Sequence, residues 1–191
     1  PASTTKILTA YLALKYGDLD AVFTVSENAA DQAADSSVCH LKAGDRLTLE
    51  QLLYGLIMQS GNDAAVAIAE GISGDVDTFA ELMNQEANAL GAIDSHFINP
   101  HGLHNEKHYT TVYDLHLLFQ AAIQNETFVK ILRETEFTAD YIDAAGMPVQ
   151  QIWMSTNKYL MGTEKAPGGI TVIGGKTGTT NDAGYCLVLL S

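Results

Sequence analysis

Positive charge is scarce in this sequence. Ten Lys and Arg stand against 23 Asp and Glu, a formal net charge of -13. A nucleic-acid binder needs clustered cations to displace counterions from phosphates, and none are clustered here. The same deficit argues against an anionic membrane surface as the main partner. Cysteine is nearly absent, with Cys39 and Cys186 alone. Two are too few for a disulfide scaffold, and their spacing fits no zinc motif. Both read as small apolar residues that do not pair, Cys39 in a polar loop region and Cys186 in a buried strand. No apolar run reaches the ~18 residues that a membrane-spanning helix needs. No signal peptide is visible. The chain opens at Pro1 with a motif already under way and stops inside the apolar run Cys186–Ser191, so both ends read as cut. Repeats, low-complexity segments and Pro- or Gly-rich linkers are also missing.

What remains is ordinary globular material. Hydrophobic residues make up 47% of the 191 and charged residues 17%, enough for a single domain over 1–191 with a real core. Helix signals dominate the first two thirds. One helix is expected from Ser3 to Tyr16, ended by Gly17. Thr48 opens another as a capping box with Gln51. Leu49, Leu52, Leu53, Leu56 and Ile57 follow at helical spacing. Ser60-Gly61-Asn62 breaks that run, and Ala64 to Glu70 reads as the next helix. Asp77 or Thr78 caps a further one, with Phe79, Leu82, Met83, Ala87 and Leu90 inward. Thr111 to Gln124 and Thr127 to Arg133 are the last helical stretches. Strands are then expected at Glu134–Thr138, Val149–Met154, Ile170–Gly174 and Tyr185–Leu190. The pattern is an α+β chain with a helical lobe inserted over roughly 40–133 between its catalytic pieces.

Three short motifs carry possible chemistry. In Ser3-Thr4-Thr5-Lys6 a helix would place Lys6 on the same face as Ser3, one turn along. A serine hydroxyl is a weak nucleophile and needs a base, and a desolvated lysine can serve. The helix N-terminus also offers N–H groups to a developing oxyanion. Ser60-Gly61-Asn62 sits on a bend between helices, where a hydroxyl can relay a proton and an amide can hold a peptide carbonyl. Lys176-Thr177-Gly178-Thr179 lies in a strand context. Its glycine permits close backbone approach, and its cation and hydroxyls suit a carboxylate. Each motif alone is as easily a helix cap, a turn or a Gly-rich strand end. Together, in this order and these contexts, they form the signature of penicillin-binding proteins and serine β-lactamases.

The flanking sequence narrows the resemblance. Pro1-Ala-Ser-Thr-Thr-Lys6, Leu56-Ile-Met-Gln-Ser-Gly-Asn-Asp-Ala-Ala65, Asn99-Pro-His-Gly-Leu103 and Gly174-Gly-Lys-Thr-Gly-Thr-Thr180 resemble the low-molecular-mass D-alanyl-D-alanine carboxypeptidases. The similarity runs over nearly the whole chain, and its tone is that of Gram-positive, spore-forming bacteria. The resemblance implies the DD-peptidase/β-lactamase-like fold, an antiparallel sheet with helices plus a helical lobe. It implies Ser3 as nucleophile, Lys6 as its base and Ser60 as a proton relay. Asn62, Lys176, Thr177, Gly178 and Thr179 then bind substrate, with the N–H groups of Ser3 and Thr179 as oxyanion hole. The implied partners are peptidoglycan pentapeptide stems and β-lactam antibiotics, the compartment is the extracytoplasmic cell envelope, and no cofactor or metal is required.

Two departures stand against the pattern. Some relatives carry an arginine before the K-T-G strand that grips the terminal carboxylate, whereas Thr156 falls there. The family also has strands before S-x-x-K and after Ser191 that complete a sheet of about five strands. Without them raw edges are expected, and with them a risk of association or inactivity in this piece. A class A β-lactamase would add a glutamate in an E-x-x-L-N loop, and no such loop lies between Asn62 and Lys176. A non-catalytic β-lactam sensor would share the S-x-x-K set and differ only in turnover. His96, His101, His104, His108 and His116 are expected mostly in a loop and carry no zincin motif. Glu134, Glu136, Asp140 and Asp143 read as a solvated face, and Trp153 as core or cleft wall.

Overall fold

The computed structural model describes residues 1–191. Pro1 leads into a 3₁₀ turn, Ala2–Thr5, that continues as helix α1, Lys6–Tyr16, closed by Gly17. Strand β1 (Val22–Thr24), the short helix α2 (Glu27–Ala30) and strand β2 (Arg46–Thr48) follow. Helices α3 (Leu49–Met58), α4 (Asn62–Ser73), α5 (Val76–Ala89), α6 (Val112–Ala122) and α7 (Glu126–Arg133) make the helical mass. The chain ends in two antiparallel hairpins, β3 (Glu136–Ile142) with β4 (Pro148–Met154), and β5 (Gly174–Thr180) with β6 (Gly184–Leu190). Strands β1-β2-β3-β4 form one sheet, and β5-β6 stand apart.

Local signals explain most boundaries. Thr48 and Gln51 form the expected capping box, which satisfies two of the N–H groups a helix start leaves free. Thr111 and Asn125 cap α6 and α7. The cap of α5 is Asp75, two residues before the earlier of the expected ones, because its carboxylate reaches the N–H of Thr78. Helix α4 begins at Asn62 and runs to Ser73, longer than expected at both ends. Its N-cap, Gly61, contributes no side-chain bond, so the sequence carries no capping signal there. The strand expected at Ile170–Gly174 starts only at Gly174, because β6 pairs with it from Leu190 backwards. Strands β1 and β2 are three residues each, too short for a period-two pattern to show.

Helix α1 is the axis of the fold. Ile7, Ala10 and Ala13 enter one core cluster with Leu52, Leu53, Leu56, Phe128 and Ile131. Leu8 and Leu12 enter a second with Phe79, Met83, Phe97 and Leu118. A helix apolar nearly all round is a buried helix, and each fully buried Leu or Ile stabilises the fold by about 1.5–3 kcal/mol. The turn carrying Ser3 and Lys6 is thus held by a helix that packs into both core clusters. Ala139, Tyr141 and Trp153 share the first cluster, so the core continues across residue 133 into the β3-β4 hairpin. Trp153 is core, and Glu136 and Asp140 lie on the exposed side of the strand.

Both thiols are free, and Cys39 lies in a loop and Cys186 in a strand, as expected, but their burial is reversed. Cys39 is buried, with Sγ against Gly55 and Gly61. Burial and the neighbouring Asp63 push its thiol well above the usual range. Cys186 is half-exposed, because β6 has a partner on one side only.

Candidate active site

The 3₁₀ turn decides the first contact. Residues three apart eclipse in such a turn, so Lys6 stands directly over Ser3, with Nζ 2.9 Å from Ser3 Oγ. Lys6 is completely buried and makes two further contacts, Asn62 Oδ1 at 2.7 Å and the carbonyl of His101 at 2.8 Å. Burial first, and Lys176 second, hold its ammonium pKa well below the ordinary lysine value. Lowering a lysine's pKa favours its uncharged form, the form that can accept a proton.

The bend before α4 brings the second motif in. Ser60 has φ of +58°, a left-handed conformation that costs a non-glycine residue about 1–3 kcal/mol and persists only when its surroundings enforce it. The enforcement is visible. Gly61 N–H donates to the Gly55 carbonyl at 3.1 Å and Asn62 N–H to that of Ser37 at 2.8 Å. Buried Asp63 accepts from the N–H groups of Cys39 and Leu41 at 2.9 and 3.0 Å, tying a neighbouring loop to the bend. Helix α4 follows with Ala64, Ala65, Ala67 and Ala69, all buried. Small side chains let it lie close to its neighbours, which brings Asn62 to Lys6.

Strand β5 supplies the third wall. Lys176 is buried, and Nζ donates to Ser60 Oγ at 2.9 Å and to the Thr177 carbonyl at 2.8 Å. Burial alone brings its pKa down to about 7. Gly178 is where the strand meets the Ser3 turn. A Cβ there would stand 2.9 Å from Ser3 N and 3.0 Å from Thr4 N, so only glycine allows this approach. Thr156, at the position where some relatives carry arginine, shares a hydrogen bond with Thr177 at 3.0 Å between hydroxyl oxygens.

The segment between α5 and α6 closes the site from the side of α1. Its contribution was not assigned from the sequence, although Asn99-Pro-His-Gly-Leu103 stood out there. Thr9 donates to the Pro100 carbonyl at 2.6 Å, and the Thr5 hydroxyl meets His108 Nε2 at 2.9 Å. His108 Nδ1 accepts from the Ile98 N–H, so Nε2 carries the proton and donates to Thr5. Burial lowers His108 to about 4, and burial with Lys6 lowers His101 to about 3. Both rings are neutral packing elements. The other histidines are dispersed, with His96 on the Lys107 carbonyl and His104 3.8 Å from Asp182. Ser3, Asn62, His101 and Thr179 line one open cleft of about 340 Å³, continued by Ser37, Asp35 and Asp182.

The chain therefore joins a serine, two buried lysines, a strained serine bend and a glycine strand in one cleft. Its full length, residues 1–191, matches the family of D-alanyl-D-alanine carboxypeptidases. It is 37% identical over 195 residues to the D-alanyl-D-alanine carboxypeptidase DacF of Bacillus subtilis, covering 98% of this chain and 46% of that protein. It is 35% identical to DacA of Escherichia coli, with the same coverage on both sides. The crystal structure of the Streptomyces K15 DD-transpeptidase superposes with a TM-score of 0.88 at 34% identity, covering 98% of this chain and 74% of that one. The chain spans about half the length of these carboxypeptidases. Nearly equal identity to the Bacillus and Escherichia proteins gives no support to a specifically Gram-positive source. On motif order, fold and similarity along its whole length, this chain belongs to the D-alanyl-D-alanine carboxypeptidase family.

Proposed function

We propose that the protein removes the terminal D-alanine from peptidoglycan stem peptides through an acyl-enzyme on Ser3, and that it works outside the cytoplasm, at the cell envelope. The observation that carries this reading is the pairing of Ser3 Oγ with a buried Lys6 Nζ at 2.9 Å. Uncharged Lys6 takes the Ser3 proton as Oγ attacks the carbonyl of the penultimate D-alanine. The N–H groups of Ser3 and Thr179 would serve the developing oxyanion, and Gly178 is the residue that lets the strand approach the Ser3 turn. The proton then reaches the departing D-alanine through Ser60, which Lys176 holds in place. The substrate carboxylate lies toward Lys176, Thr177 and Thr179, with Thr156 orienting the Thr177 hydroxyl. Water finishes the cycle by hydrolysing the ester.

A β-lactam would enter the same cleft as a mimic of the dipeptide. Its leaving group stays tethered after ring opening and blocks the side from which D-alanine would go. Fast hydrolysis of that adduct needs a second base on the other face, worth two to four powers of ten, roughly, in rate. Asp35 and Asp182, the carboxylates that line the cleft with Ser3 and Asn62, make no hydrogen bond to Lys6, whose partners are Ser3, Asn62 and the His101 carbonyl. The penicilloyl ester on Ser3 is expected to accumulate and leave slowly, while the peptide ester turns over. Fluorescent penicillin labelling with intact mass and peptide mapping tests this. Ser3→Ala should remove the label and leave the fold intact. Label on another residue, or many rapid turnovers with no adduct, would reject the reading. A stable adduct with no D-alanine release from a stem peptide would mark a sensor instead.

A further inference from the structure

The hydrogen-bond count at Lys6 leaves a question that the three motifs do not answer. A neutral amine has two N–H groups and one lone pair, and Nζ has three neighbours: Ser3 Oγ, Asn62 Oδ1 and the His101 carbonyl. The last two cannot donate to Nζ. They therefore take both N–H groups, and the lone pair is left facing Ser3, whose hydroxyl must donate to it. After Lys6 accepts that proton it has three N–H groups for the same three acceptors. The base is oriented in both protonation states without rearrangement. Remove the His101 carbonyl and the second N–H is free to turn onto Ser3 Oγ, which points the lone pair away from the nucleophile.

The His101 carbonyl and the Gly102 N–H belong to one planar trans peptide and point in opposite directions. That N–H donates to Asn99 Oδ1 at 2.7 Å, and Asn99 Nδ2 donates to the Leu103 carbonyl at 3.0 Å. Asn99 thus grips the far end of the peptide plane whose near end meets Lys6. Thr9 anchors the same loop to α1 through the Pro100 carbonyl. Gly102 has φ of +92°, and a Cβ on it would stand 1.8 Å from the Ala2 carbonyl oxygen, so the plane is wedged against the nucleophile turn.

We infer that Asn99 is a positioning residue for proton transfer: by fixing the His101–Gly102 peptide plane it aims the Lys6 lone pair at Ser3. The inference rests on the proposed peptidase chemistry. It differs from a packing role in what it changes, namely the saturating rate of acylation and not the concentration that half-saturates it.

The test follows penicillin acylation of Ser3 by stopped-flow and intact mass in the unaltered protein, Asn99→Ala, Asn99→Asp and Thr9→Val. Misaimed bases and small displacements cost up to ~100-fold. Asn99→Ala should lower the saturating rate at least about tenfold with half-saturation unchanged. Asn99→Asp keeps the acceptor for Gly102 and should recover most of that rate. Thr9→Val should give a smaller loss of the same kind, and it decides the matter if Asn99→Ala does not fold by circular dichroism. An Asn99→Ala protein, or failing it Thr9→Val, that acylates at the unaltered rate overturns the inference while leaving the peptidase reading standing. So does a loss confined to half-saturation, or one that Asn99→Asp does not recover. If the unaltered protein forms no adduct on Ser3, both fall.

Discussion

Two buried lysines meet in this cleft, and their surroundings differ in ways that divide the work between them. Lys6 sits on a helix that enters both core clusters, with three oxygen neighbours and a second cation near it. Lys176 sits on a hairpin strand, with a hydroxyl and its neighbour's carbonyl for company. Burial lowers both, and the charge of Lys176 lowers Lys6 further. The result is an amine pushed down by burial and by a neighbouring cation, beside one that burial alone brings to about 7. The first suits a base. The second suits a cation that holds Ser60 and meets a carboxylate. Desolvation is shared by the pair, so the difference comes from neighbours, and neighbours can be changed one at a time.

The strongest way to break this comparison is to remove each amine in turn. Lys6→Met should cut the saturating rate of penicillin acylation by about 10²–10⁴, the usual worth of a general base. Lys176→Met should mainly raise the half-saturating concentration, by roughly tenfold or more, as expected for a lost charge-assisted hydrogen bond. Equal losses of saturating rate in both variants would erase the distinction. A second test sharpens it through stability. The folded pKa of Lys176, about 7, lies below the value of 10.5 for an exposed lysine. Folding must therefore expel its proton at any pH between the two. The penalty is absent above pH 10.5, grows as pH falls, and is complete below about 7. Denaturant midpoints of the unaltered protein, measured against Lys176→Met, should fall behind steadily from pH 10 to 7. A constant difference would mean that Lys176 stays charged in the fold. The smallest effect belongs to Thr156→Val, which removes one hydroxyl bond to Thr177. Half-saturation by a carboxylate-bearing substrate should rise about fivefold, the worth of one neutral hydrogen bond, with the saturating rate unchanged.

The two lysines also differ in how they were legible. Lys6 could be placed against Ser3 from spacing alone, because local backbone geometry fixes residues three apart. The 3₁₀ turn in place of a regular helix only tightened that pairing. Lys176 and Ser60 could be named as motif members, but their contact at 2.9 Å spans 116 positions of chain and follows from packing. The Asn99 loop shows the same limit. Its sequence stood out, yet its action on Lys6 runs through a backbone carbonyl, and no side-chain motif records where a carbonyl points. Asp75 was missed as a helix cap because Asp77 and Thr78 carried equally good cap chemistry nearby. The short strands β1 and β2 were missed because three residues hold too little periodicity.

The sequence by itself determined the Thr48–Gln51 capping box, the apolar faces, the Ser3–Lys6 pairing and the family. These are local properties, written in residues that neighbour one another in the chain or recur at a helical period. Tertiary structure decided what the site is chemically. It buried both lysines, forced Ser60 into a left-handed bend, laid Gly178 against the Ser3 turn and set a peptide plane over Lys6. Desolvation and the distance between remote groups shift a pKa and aim a lone pair, and both exist only once the core around α1 has closed.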